Sequence, residues 1–170
     1  IKFILDGGKS FVGIESTVVD LTNKPRILRP GIIGPEAINK VLKVNIRYSK
    51  KTSRIKSPGM LKKHYSPGIP IKLNRIRGGK NDAYITFGKR YKKKYNHFNL
   101  SKKSSLNEAE SNLYKTMRII KKKKFKKINV VKIPKRGIGI AINDRLERAA
   151  RKKWNLKLRI LVKISTALLQ

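Results

Sequence analysis

The sequence predicts an α/β protein: strands and one helix over residues 1–43, a linker over 44–68, a small α/β unit over 69–150 and a basic tail over 151–170. Two observations carry this prediction. Beyond residue 69, β-branched runs alternate with amphipathic helical stripes, the pattern of helices laid on a sheet. Before it, residues 44–68 mix Lys, Arg, Ser, Pro and Gly with few apolar side chains, which is the composition of a spacer.

In the first section, Asp6-Gly7-Gly8 closes a short apolar run at a turn, because adjacent glycines accept positive φ. Residues 14–21 are rich in β-branched side chains and are expected to form a strand with Ser16 and Thr17 near its start. Both hydroxyls can donate to and accept from a ligand. In Ile27-Leu28-Arg29-Pro30-Gly31, proline biases Arg29 toward extended backbone, so its side chain leaves a strand end and Gly31 lets the chain turn. A guanidinium there can fork onto phosphate or carboxylate. Gly34-Pro35-Glu36 then opens a helix, with proline at the first position and a carboxylate facing the dipole. Ala37, Ile38, Val41 and Leu42 give that helix one apolar stripe.

Within the linker, Pro58-Gly59 and Pro67-Gly68 bracket Met60, His64 and Tyr65, side chains that a plain spacer has no use for, so the segment is expected to dock. After it, residues 69–73, 83–87 and 95–100 read as short strands. Ser105-Leu106-Asn107-Glu108 is a capping box with the glutamate reaching back, and Leu106, Ala109, Leu113, Met117 and Ile120 form the core stripe of its helix. Residues 128–133 form a strand ended by Pro134. Gly137 and Gly139, read as a tight turn, lead into a helix carrying Ala141, Ile142, Leu146, Ala149 and Ala150. On that helix Asp144 and Arg148 are spaced for an ordinary i,i+4 pair, and Asn143-Asp144-Arg145 is given a structural role.

Composition excludes several classes of function. There is no cysteine, so neither a disulfide framework nor a thiolate metal site is available, and His64 and His97 alone do not make a histidine zinc site. No run of about 18 apolar residues or signal-peptide pattern is present, so no membrane association and a cytoplasmic location are expected. The net charge of +35 is uneven: residues 1–43 hold +3, leaving +32 for the remainder. Such a field attracts nucleic acid by counterion release. A lysine coat that binds nothing in particular is the other reading, and sparse aromatics at Tyr91, Tyr95 and Phe98 do not decide between them.

Four motifs in order, DGGKSFVGIESTVVDLT, ILRPG, GMLKKHYSP and GIGIAINDRLERAA, resemble the two-domain YrdC-type threonylcarbamoyl-AMP synthases over about the first 150 residues. The resemblance implies an enzyme that joins L-threonine, bicarbonate and ATP into threonylcarbamoyl-adenylate, releasing pyrophosphate. The product serves the threonylcarbamoyladenosine modification of transfer RNA through a transfer machinery. It implies that residues 1–43 close a YrdC-like catalytic domain and that residues 69–150 are a small Rossmann-like domain. Ser16 would hold threonine, Arg29 a nucleotide phosphate, and Tyr65, with His64 beside it, the nucleotide from the linker side. ATP would enter with magnesium as the substrate complex, with no protein-bound metal or organic cofactor. Catalytic residues are not assigned.

This sequence departs from the family in three ways. The upstream lysine-x-arginine and serine-x-asparagine motifs have no counterpart, so the chain is expected to be a fragment, inactive alone. Leu61 and Lys62 stand where a basic residue and an aromatic commonly follow GM. The tail after Ala150 diverges. A basic RNA-binding or interaction remnant without catalysis is the alternative reading.

Overall fold

The computed structural model describes residues 2–8, 12–49 and 66–151. It is α/β, with a three-stranded sheet, a four-stranded parallel sheet and three helices among those residues.

In the first sheet, β1 (Val18–Asp20) pairs antiparallel with β2 (Arg26–Arg29), and β2 pairs parallel with β3 (Arg47–Tyr48). The β1–β2 turn is organised by Asp20, whose carboxylate accepts from the Thr22 amide at 3.0 Å and hydroxyl at 2.6 Å, and pairs with Arg26 at 3.4 Å. Helix α1 (Pro35–Leu42) starts as predicted, with Gly34 at the cap, Pro35 first and Glu36 in the first turn. Its stripe does not build a core. No α1 residue is buried, and Val41 is 79% exposed.

The second sheet has the order β4-β7-β5-β6, built from β4 (Ile71–Leu73), β5 (Asp82–Thr86), β6 (His97–Asn99) and β7 (Lys127–Val130). All its pairings are parallel. Alternation along the strands gives it two unlike faces. Ala83, Ile85, Ile128 and Val130 join the core with Ala109, Leu113, Met117 and Ile120 of α2 (Leu106–Lys122) and Ala141, Ile142, Leu146 and Ala149 of α3 (Gly139–Ala150). Each large aliphatic buried there contributes about 1.5–3 kcal/mol.

The other face is polar: Asp82, Tyr84, Thr86 and Asn129. Residues 74–81 carry the chain from β4 past β7 to β5 without a helix, and Gly78 makes the passage possible. A Cβ on Gly78 would stand 2.5 Å from Asp82 Oδ2 and 2.6 Å from Asn129 Nδ2. Asp82 Oδ2 accepts from the Gly79 amide at 3.0 Å, Asn129 Nδ2 at 3.0 Å and Lys127 Nζ at 3.1 Å. Burial pushes the Asp82 carboxyl up, but these bonds and the Lys127 charge outweigh it and hold the group below its usual 3.8.

The capping box differs from expectation in its second half. Ser105 Oγ accepts from the Glu108 amide at 3.3 Å, but the Glu108 carboxylate takes the Ser101 hydroxyl at 2.6 Å, and Ser101 Oγ accepts the Ser105 amide at 2.9 Å. The reciprocal bond is relayed through Ser101. The Gly137-Ile138-Gly139 turn is a close approach: a Cβ on Gly139 would stand 2.1 Å from Pro134 O. Asn143 Nδ2 secures it by donating to Gly139 O at 2.7 Å and Ile133 O at 3.2 Å.

The expected strand over 14–21 is shorter than predicted, because Ile14 and Glu15 lie on the second unit and Ser16-Thr17 bridge from there to the first sheet. Ile14 is 4% exposed and belongs to the core of α2 and α3. Glu110 accepts from the amides of Ile14 and Gly13, although burial pushes its carboxyl upward. Glu15 Oε2 accepts from Arg145 Nε at 3.0 Å and from the Tyr114 hydroxyl at 3.4 Å. Arg145 side-chain exposure is 0%, and its Nη1 donates to Asp144 at 2.7 Å. Asp144 also pairs with Arg148 at 2.9 Å, the predicted i,i+4 contact.

Two outcomes follow. Asp82→Ala leaves Asn129, Lys127 and the Gly79 amide without their common acceptor, costing about 2–4 kcal/mol in urea unfolding. Because folding lowers the Asp82 pKa, its contribution is full above 3.8 and is lost as pH falls through the folded-state value. Stability–pH curves of wild type and Asp82→Asn should therefore converge in acid. A constant gap would show that the carboxylate is not the stabilising species.

Glu15→Gln should cost about 1–3 kcal/mol, discounted because the Glu15 side chain is 37% exposed, and should speed hydrogen exchange over residues 12–17. Glu147→Gln, which breaks the open Lys135 pair, should stay within about 0.5 kcal/mol of wild type. Equal effects of the two would show that the Arg145 contact holds nothing in place.

Candidate functional site

The candidate site lies where residues 15–17, the end of β2 and the start of the following loop meet. Arg29 is the last residue of β2 and is 9% exposed. Its guanidinium turns back across the neighbouring segment: Nε donates to Ser16 O at 3.0 Å and Nη2 donates to Ser16 Oγ at 3.2 Å. The fork expected for an anion is thus partly used to fix Ser16. Since Ser16 Oγ accepts from a cation, its own proton is directed away from Arg29 as a donor. Ser16 is exposed while Arg29 behind it is buried. A surface hydroxyl oriented by a buried cation results.

Gly31 is what permits this proximity. A Cβ there would stand 2.3 Å from the Thr17 amide nitrogen and 2.6 Å from the Ser16 carbonyl carbon. The Leu-Arg-Pro-Gly stretch therefore presses its backbone onto Ser16-Thr17, a tighter requirement than a turn. Thr17 Oγ1 donates to Ile33 O at 2.7 Å and closes the loop from the other side. The Thr17 hydroxyl is thus engaged in closing the loop, and Ser16 is the more exposed residue of the pair.

Ser16 and Arg29 are thus brought together. His64 and Tyr65 lie outside the described residues. His97, the second histidine, sits on β6 in the other sheet, with burial and then Lys94 pushing its imidazole pKa down. Among the described residues no group of three His, Asp or Glu side chains could hold a metal ion, and no helix is long and apolar enough to cross a membrane. Of the aromatics considered for stacking, Phe98 and Tyr95 both pack on Phe125, and Tyr91 lies under Arg90 at 4.9 Å. They make no common platform.

Sequence reasoning gave Arg145 a structural role but missed its partners Glu15 and Tyr114, which connect the site to the second unit. One signal was present. Arg145 stands between Ile142, Leu146 and Ala149 on the apolar stripe of α3, and a charge in such a row needs a buried partner.

Known proteins give this arrangement a context. Residues 33–151 match the family described as threonylcarbamoyl-AMP synthase, C-terminal domain. The chain is 30% identical to the threonylcarbamoyl-AMP synthases of Pyrococcus abyssi and of Bacillus subtilis, in each case over 88% of this chain and 49% of the relative. A Schizosaccharomyces pombe threonylcarbamoyl-AMP synthase is 38% identical over 52% of this chain and 24% of its own length. Among solved structures, Pyrococcus abyssi Sua5 complexed with L-threonine superposes with a TM-score of 0.69 at 28% identity, covering 85% of this chain and 48% of that one. A Sua5 variant with an adjacent histidine and tyrosine replaced by alanine gives the same TM-score at 25% identity, covering 85% and 47%. The chain spans about half the length of the curated relatives it matches. With the family match extending over well more than half of its residues, the chain belongs to the threonylcarbamoyl-AMP synthase family.

Proposed function

We propose that this chain serves the synthesis of threonylcarbamoyl-adenylate from L-threonine, bicarbonate and ATP, for the threonylcarbamoyl modification of transfer RNA in the cytoplasm. The observation that carries the reading is the bond from a buried Arg29 to the exposed Ser16 hydroxyl, a pair suited to one polar substrate and one anionic substrate. In this reading Ser16 donates to the threonine, and the Arg29 guanidinium meets a phosphate of the nucleotide. Tyr65 and His64 approach the nucleotide from the linker; they are this chain's one His-Tyr dipeptide, the same pair of residue types altered in the Sua5 variant.

The chemistry asks for charge stabilisation rather than a protein nucleophile. Threonine nitrogen attacks the carbon of bicarbonate with loss of water, and the resulting carbamate oxygen attacks the α-phosphorus in line, breaking the bond to pyrophosphate. Arg29 and the magnesium that accompanies ATP spread the charge growing on the phosphoryl oxygens. One arginine is insufficient for that task. Residues 1–43 are therefore read as the closing edge of a YrdC-like catalytic domain, with 44–68 as linker and 69–150 as the small domain. Exposed Leu21, Ile32, Ile33 and Val41 support this, since they offer apolar surface for the remainder of such a domain. The excess of cations beyond residue 43 supplies a field for transfer RNA.

Pyrophosphate release tests the reading. The purified 170-residue chain should give none from ATP, L-threonine and bicarbonate. Joined to the portion of the Pyrococcus abyssi synthase that it does not cover, it should turn over. Robust turnover by the chain alone overturns the divided-site view, and a folded chimera that binds threonine yet releases nothing overturns the catalytic one.

In that chimera, Arg29→Lys retains the charge but loses the planar fork, so ATP affinity should fall by about 1–3 kcal/mol by calorimetry. Unchanged ATP affinity would confine Arg29 to holding Ser16.

A further inference from the structure

The polar face of the parallel sheet carries a second feature, remote in the fold from Ser16 and Arg29. Thr86 ends β5 and Asn99 ends β6, and the parallel register sets Thr86 beside Asn99 and Tyr84 beside His97 on one face. A cavity of about 430 Å³ opens there, lined by Thr86, His97 and Asn99 from the sheet and by Lys89, Lys92, Lys93 and Lys102 from the loops beyond the strand ends. The carboxyl ends of parallel strands are where open α/β sheets receive ligands.

The lining has unusual chemistry. Thr86 is 1% exposed, yet its hydroxyl has no hydrogen-bond partner among the described residues. A buried hydroxyl left so costs about 1–3 kcal/mol, and a native site bears that cost only with compensation. His97 Nδ1 is likewise buried and unpartnered, while the ring bonds the Lys92 backbone. In a neutral imidazole either nitrogen carries the proton, so Nδ1 offers one hydrogen-bonding position, which a hydroxyl can meet as donor or as acceptor. Asn99, by contrast, is fully engaged: Nδ2 donates to Gly88 O at 2.9 Å and Oδ1 accepts from the Ser101 amide at 3.0 Å. It holds the loop rather than a ligand. Among the described residues no carboxylate lines the cavity, so its four ammonium groups are not neutralised by its lining.

We propose that this cavity binds a small phosphorylated molecule that also bears a hydroxyl or amino group, of the class of sugar phosphates. The lysines meet the phosphate as point charges, the Thr86 hydroxyl donates to a phosphate oxygen, and a hydroxyl of the ligand meets His97 Nδ1. A lysine-rich surface alone would attract any anion; the two orphaned atoms beneath it select for shape and for a polar group besides the phosphate. The inference is independent of the threonylcarbamoyl reading and survives its failure.

Calorimetry on the 170-residue chain at 150 mM NaCl tests it, with ribose 5-phosphate, inorganic phosphate and ribose as probes. Ribose 5-phosphate should saturate a single site at least tenfold more tightly than either of the others. Thr86→Val exchanges the hydroxyl for a methyl and should weaken binding at least tenfold in a chain that melts no lower than wild type, since the unpaired buried hydroxyl is gone. Should that variant unfold, Lys92→Ala with Lys93→Ala, both exposed, should produce the same loss. Lys121→Ala with Lys122→Ala, at the exposed end of α2, should change affinity less than twofold. Equal losses from the two lysine pairs, or indifference to a folded Thr86→Val, would reduce the cavity to part of a lysine coat. Binding of a short RNA that depends on Thr86, with none of ribose 5-phosphate, would overturn the small-molecule assignment.

Discussion

The contact on which the two sheets depend is the one between Glu15 and Arg145. A guanidinium with no exposure to water is tolerated only when its charge is answered, and Glu15, one residue before Ser16, answers it together with Asp144. Ile14 adds an apolar anchor in the core of α2 and α3, and Glu110 takes the Gly13 and Ile14 amides. The segment carrying Ser16 is thus fixed on one side by the second unit and on the other by Arg29 of the first sheet. Ser16 stands at the junction of both, so the second unit is part of how the candidate site is shaped.

Glycine does the complementary work of removing volume. At Gly31 a backbone is pressed onto Ser16-Thr17, and at Gly78 a crossover lies flat on the polar cluster around Asp82. In both places a side chain would meet heavy atoms closer than 3 Å, so the constraint is space rather than conformational freedom. The second case explains an unusual feature of the sheet. Parallel strands ordinarily need a helical crossover, but residues 74–81 and 87–96 make theirs as loops, covering the polar face while α2 and α3 occupy the apolar one. That division leaves room above Thr86 and His97.

Legibility in the sequence followed the range of the interaction. The α2 stripe, the α3 stripe, the Pro35 start of α1 and the Ser105 cap were all readable because their partners lie within one or two turns. Strand positions were readable and their ends were not, since pairing across the sheet decides where a ladder stops. Residues 14–17 show this: β-branched composition suits a strand, but burial of Ile14 against another unit takes them out of the sheet. β3, two residues long, falls in a stretch whose composition reads as linker, and only its parallel register with β2 and the burial of Ile46 reveal it. The α1 stripe was readable too, yet amphipathicity says only that a face seeks cover. The proximity of Ser16 to Arg29 was suggested by family likeness, whereas the hydrogen bonds between them and the Glu15–Arg145 link, 130 residues apart, needed coordinates.

The scarcity of acids gives the charge pattern its meaning. Nine carboxylates face 44 lysines and arginines, and six of the nine have a specific structural task inside the fold. Asp20 builds a turn, Asp82 holds the sheet to its crossover, Glu108 closes a helix cap, Glu15 and Glu110 join the two units, and Asp144 braces Arg145 and Arg148 within α3. No carboxylate among the described residues lines the cavity with the lysines of residues 89–102, so neutralisation there comes from solution. Diffuse counterions supply it anywhere on such a surface, screened within about 8 Å at physiological salt. What distinguishes the cavity beside Thr86 from the rest of that surface is therefore not its charge, which is everywhere, but two buried polar atoms whose hydrogen-bonding capacity a counterion cloud does not fill.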